Sequence, residues 1–92
     1  MSAIKQVWKF EVSPATRIQI PEDAQVLSAK FQNGRICIWV LVDPDAPIVK
    51  REFEVYGTGH PIQDADDLRF IDTVLVDNGQ LIYHVFERNL AR

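Results

Sequence analysis

Polar and apolar residues alternate along most of this chain with a period of two, the period of a half-buried β-strand. In residues 7–12, Trp8, Phe10 and Val12 share one side while Lys9 and Glu11 take the other. Residues 16–20 repeat the pattern and stop at Pro21, and Ser13-Pro14 separates the two runs as a turn or bulge. Leu27, Ala29 and Phe31 share a face of the next run, which ends at Asn33-Gly34. Both turn residues tolerate the left-handed conformations of a two-residue hairpin. The return strand, residues 35–43, is apolar on both faces: Ile36, Ile38, Val40 and Val42 on one, Cys37, Trp39 and Leu41 on the other. Such a strand is covered on both sides, and the second cover can come from another subunit. Trp39, in this most apolar strand, is expected in the core.

Pro44 and Pro47 end that strand, and residues 51–56 alternate again. Residues 63–67 suit a short helical turn. Residues 68–77 and 80–87 form a second hairpin across Asn78-Gly79, and residues 88–92 read as a fraying tail. About seven strands with frequent turn signals, and no long amphipathic helix, predict one all-β domain over residues 1–92. Its architecture is a compact antiparallel β-sandwich or partly open barrel. Its hydrophobic centre is expected in residues 36–42.

At 92 residues the core is thin; a domain of this size buries about 60–65% of its unfolded surface. The net charge of −3 argues against direct nucleic-acid binding, which draws on a basic stripe. Cys37 is the single cysteine, so no intrachain disulfide forms and a reducing compartment fits. The longest apolar run is too short to span a bilayer, and the N-terminus shows no signal-peptide pattern. The reading is a cytoplasmic protein with no membrane contact.

Candidate chemistry concentrates in Tyr56-Gly57-Thr58-Gly59-His60-Pro61-Ile62. Glycines at this spacing let the backbone turn, either to aim N–H groups at an anion or only to reverse the chain. Tyr56, Gly57, Thr58, Gly59 and His60 are the candidate binding residues. The loop is neither a dinucleotide fingerprint nor a P-loop. His60 with Asp64, Asp66 and Asp67 matches no metal-ligand spacing, and no metal or cofactor is expected. His84, on a face with Ile82 and Phe86, reads as structural. Cys37 reads as a buried, inert thiol, and no serine sits in a nucleophile motif. No catalytic set emerges, and the chain reads as a non-enzyme.

Taken together, the chain resembles a family of small proteins of unknown function encoded by phages and prophages. The resemblance rests on Ile20-Pro21, Ala24 through Leu27-Ser28, Gln32-Asn33-Gly34, Trp39-Val40-Leu41-Val42-Asp43-Pro44 with Pro47, residues 56–61, and His84-Val85-Phe86-Glu87. It implies a mobile-element setting and the host-cell cytoplasm, and it transfers no residue role. Products of that setting often bind a host protein. One expectation is therefore an accessory protein that occludes a host factor, plausibly as an anti-CRISPR-like defence antagonist. The alternative is a sponge for a small anionic ligand or nucleotide signal, held by residues 56–62. In that case Arg51 and Arg69 reach the loop only if the fold brings them there. A homodimer is a further expectation.

Overall fold

The computed structural model describes residues 4–13 and 15–89. They form β1 (Gln6–Glu11), β2 (Ala15–Pro21), β3 (Gln25–Gln32), β4 (Arg35–Val42), β5 (Ile48–Gly57), a 3-10 turn at Ala65–Asp67, β6 (Leu68–Val76) and β7 (Leu81–Arg88). The strands make two antiparallel sheets, one of order β1-β4-β3 and one of order β2-β5-β7-β6. The protein is an all-β sandwich, the first of the two architectures that the period-two pattern allows.

The first hairpin closes on Asn33 (φ 53°) and Gly34 (φ 80°), with Gln32 opposite Arg35. Two successive positive φ values match the twist of the flanking strands. The second is longer than the two-residue turn that Asn78-Gly79 suggests. Four residues separate Val76 from Leu81, and Asp77, Asn78 and Gly79 all have positive φ. The Asp77 carbonyl accepts from Gln80 N–H at 3.1 Å, which holds the extra residues in the turn.

Between the sheets lie Ile38, Val40 and Val42 of β4, Ile20 of β2, Phe53 of β5 and Val85 of β7, all fully buried. The hydrophobic centre is thus not confined to residues 36–42. Phe53 supplies the largest fully buried side chain, from outside the stretch expected to form the centre. The alternation around it is ordinary, but β5 starts at Ile48, straight after Pro47, and runs through the middle of its sheet.

The outward face of β4 also departs from expectation. Trp39 is half-buried on the solvent side and lies outside the core. Its cover comes from this chain's own long side chains. Lys9 crosses β4, holding its Nζ 6.0 Å above the Trp39 ring and donating to Gln32 Oε1 at 2.6 Å. Arg35 pairs with Glu11 at 2.9 Å across the same face, over Cys37, which is buried. Methylene stems cover the apolar stripe while their charges stay in water, so no second subunit is needed there.

The sandwich closes along β3 and β6 without a backbone ladder between them. Each strand carries a bulge, at Leu27 and at Ile71. The two bulges twist the edges out of pairing register. In the gap the Asp72 carboxylate accepts from Ala29 N–H at 3.0 Å and from Thr73 N–H at 2.9 Å, replacing the missing strand partner.

Candidate functional site

Because β5 and β6 are both antiparallel to β7, they run parallel to each other, and residues 58–67 must carry the chain from one end of the sheet back to the other. Arg88 fixes this crossover to the sheet. Its guanidinium donates to the carbonyls of Asp64 at 2.9 Å and Gln63 at 3.1 Å, and to both Glu54 oxygens at 2.7 Å. Arg88 is therefore an anchored strand residue, not part of a frayed tail. Residues 90–92 of that expected tail lie outside the described residues.

The crossover buries a charge on what would otherwise be an open sheet face. Glu54 is only 5% exposed. The Arg88 hydrogen bonds hold its carboxyl at a pKa of about 2, against the desolvation that works the other way. Tyr56 donates its hydroxyl to the same carboxylate, and that bond raises the phenol pKa. The Tyr56 hydroxyl is thus already engaged within the protein.

At the start of the crossover lie the residues singled out by the sequence. Thr58 N–H continues the ladder to the Ile82 carbonyl at 3.2 Å, and His60 N–H closes a turn on the Gly57 carbonyl at 3.1 Å. Two of the N–H groups that an anion nest would use are therefore already spent. Gly59 takes the left-handed conformation (φ 88°) that its type was expected to supply. Gly57 serves a different purpose. A methyl group there would stand 3.1 Å from His60 Cε1, so its bare Cα leaves room for the imidazole to lie against the strand end. His60 itself is exposed and lines a shallow cleft of about 270 Å³ with Gly57, Thr58, Gln80, Leu81, Ile82 and Tyr83.

His84 binds the loop to the sheet. Its Nε2 lies 2.8 Å from Thr58 Oγ1 and its Nδ1 3.1 Å from Thr73 Oγ1. In a neutral imidazole one nitrogen donates and the other accepts, and the two hydroxyls rotate to suit. The structural reading of His84 holds in substance, though on the solvent-facing side of the sheet and not in the core. Tyr56, His84 and Thr73 stand directly opposite one another on three adjacent strands.

The next row is aromatic. Phe86 meets Tyr56 at 6.0 Å and Phe70 at 5.8 Å between ring centroids, both edge-to-face. Phe70 is 56% exposed, and beyond His84 on the same face Leu75 is 62% and Ile82 39% exposed. The sequence reading places Ile82 and Phe86 beside His84 but not the exposure of this face, nor Phe70 and Leu75 on it. A signal was present: β7 is apolar on both faces, and around the β6 bulge Leu68, Phe70 and Ile71 break the alternation.

Arg51 and Arg69 are not brought to the loop. Both lie toward the opposite end of the sheet, Arg51 about 20 Å from Gly57 along β5 and Arg69, opposite Glu87, about 17 Å from it across two strand spacings. Arg51 grips Glu87 through Nε at 2.5 Å and Nη2 at 2.7 Å, and also donates to the Ala24 carbonyl. Arg69 reaches the same carboxylate at 2.6 Å. Burial pushes the Glu87 pKa up, but the two guanidiniums outweigh it and leave it lowered. This cluster lines an open cleft of about 490 Å³, together with Lys50, Asp66 and Asp67. Among the described residues, no three His, Cys, Asp or Glu side chains group as a metal site.

The fold and this decorated sheet face define a small β-sandwich whose one crossover loop is clamped onto its own sheet. Residues 3–92 match the family described as a domain of unknown function, DUF7352, and the chain belongs to that family. No curated protein and no solved structure matches it.

Proposed function

We propose that the protein works by binding rather than by catalysis, seating a protein partner on the solvent-facing side of the β2-β5-β7-β6 sheet and occluding it. The observation that carries this reading is the exposure of Phe70, Leu75 and Ile82 on one rigid face, beside the His60 loop. Apolar side chains left open together on one sheet face suit an interface. The net charge of −3 favours a partner with a basic rim around an apolar centre. In the phage setting that the resemblance implies, such a partner is a host factor, and a defence component fits. The test is retention of host-lysate protein on the immobilised chain, followed by titration of the purified partner. Leu75→Asp with Ile82→Asp should leave the fold intact by circular dichroism and weaken binding about a hundredfold, the scale of two interface anchors. Undiminished affinity in that double variant removes this face from the function.

A second reading has its own support in the cleft beside Gly57, Thr58 and His60, whose size suits part of a small anionic ligand. Mass spectrometry of heat-released small molecules distinguishes the two. A stoichiometric nucleotide that is absent from His60→Ala would replace protein occlusion with ligand sequestration.

A further inference from the structure

The four sheet edges are not equally protected. The β3 and β6 edges are bulged, turned toward each other and clasped by Asp72. β2 ends at Pro21 and carries Arg17. β1 has neither a proline nor a bulge over Gln6–Glu11, and its register against β4 is unbroken. Lysine is a common guard of strand edges, but Lys9 is drawn inward over Trp39 to Gln32.

The direction of the backbone groups follows from one hydrogen bond. Val12 N–H donates to the Ile36 carbonyl at 2.9 Å, one step beyond the Glu11–Cys37 pair. In an antiparallel ladder hydrogen-bonded and non-hydrogen-bonded pairs alternate. Trp8, Phe10 and Val12 therefore bond to β4, while Val7, Lys9 and Glu11 present both N–H and C=O outward. No described strand pairs with that edge.

We infer that the β1 edge is a self-association site, at which two copies pair β1 against β1 antiparallel about a two-fold axis at Lys9. The rungs are self-complementary in this register. Val7 faces Glu11 of the second copy and Lys9 faces Lys9, so every outward N–H and C=O of those residues finds a partner. On the inner side Trp8 stands opposite Phe10 of the second copy in the closer, non-hydrogen-bonded positions, and both rings are only half-buried in one copy. The like charges at the axis are kept apart because each ammonium is held over its own β4 by Gln32. Two three-stranded sheets thereby become one continuous sheet. This inference stands independently of the occlusion reading, which uses the other sheet.

Sedimentation equilibrium and amide hydrogen exchange on the wild-type chain test it. Twice the monomer mass is expected as concentration rises, with the amides of Val7, Lys9 and Glu11 slowing about tenfold or more over the same range. Trp8 and Phe10 should be protected throughout. Val7→Pro removes an outward N–H without touching the β4 ladder and should weaken dimerisation about tenfold or more, whereas Val7→Thr should not. Should Val7→Pro fail to fold, the wild-type exchange pattern decides. A monomer at every concentration, fast exchange of the odd-numbered amides in a dimer, or full dimerisation of folded Val7→Pro would overturn the inference.

Discussion

The solvent-facing sides of the two sheets solve the same problem by different means. Both carry apolar residues. On the β1-β4-β3 side, Lys9, Arg35 and Glu11 reach across Cys37 and Trp39 and cover them with flexible stems. On the β2-β5-β7-β6 side, the cover is a stretch of backbone, residues 58–67, held down by Arg88. A side-chain cover costs rotamer entropy and can be lifted residue by residue. A backbone cover needs an anchor, and here the anchor is a nearly buried carboxylate–guanidinium pair. The first side is therefore tolerant of change. The second depends on one interaction, and beyond its reach Phe70, Leu75 and Ile82 are left open.

The largest effect should come from that anchor. Glu54→Ala strands Arg88 beside an apolar face and frees the crossover, and should destabilise the protein by about 3 kcal/mol in urea unfolding. Arg51→Ala, at the other carboxylate, tests whether the crossover or only the loss of a charge partner is responsible. Glu54 also makes the anchor sensitive to acid. Its folded pKa is depressed from 4.5 to about 2, so its stabilisation is complete above pH 4.5 and is lost as pH falls toward about 2. Glu54→Gln should flatten that part of the stability profile, and an unchanged profile would show that the acid response lies elsewhere.

Next in size is the contrast between rings. Trp39→Ala should cost about 1–2 kcal/mol, because the indole is covered by stems and not by the core, whereas Phe53→Ala should cost about 3–5 kcal/mol. Equal losses in chemical denaturation would mean that the Lys9 roof packs as well as the interior.

The smallest effect separates the two loop glycines. Gly59→Ala forces a β-carbon into a left-handed conformation and should cost about 1 kcal/mol. Gly57→Ala meets only an exposed imidazole that can swing aside, and should change stability by less than about 0.5 kcal/mol. Its signature is instead a shift of the His60 ring resonances, and if those stay put the imidazole does not rest on Gly57 in solution.

Much of the fold was legible because β-strands write themselves locally. Alternation places β1, β2, β3 and β5, apolar runs between turn signals place β4, β6 and β7, and Asn33-Gly34 places a turn whose φ values only such residues accept readily. What escaped depends on distance in sequence. Nothing near Trp39 announces that Lys9, thirty residues earlier, will lie across it, so the pattern alone places the ring in the core. Nothing near Arg88 announces Glu54. The candidate loop is visible through its glycines, but the sequence leaves open whether it binds an anion or only turns the chain. The structure spends the Tyr56 hydroxyl on Glu54, the Thr58 hydroxyl on His84, and two loop N–H groups on turn and ladder. His60 keeps its imidazole exposed at the surface. Gly57 was understood as a turn former, whereas its role is set by a ring three residues later.

The order of strands in the larger sheet has a consequence for how the chain is made. β5 and β6 are made before β7, yet they are not neighbours. The slot between them, about 10 Å wide at two inter-strand spacings, is filled only by β7. Until Leu81–Arg88 has emerged, the crossover has no Arg88 to hold it and Val85 is missing from the core. The nascent chain therefore carries a sheet with a gap in its middle until β7 folds back on β6 and reaches β5. Translation pausing before β7 should lengthen the time this gap stays open, which makes the last eight-residue strand the step that commits the whole sandwich to its native form.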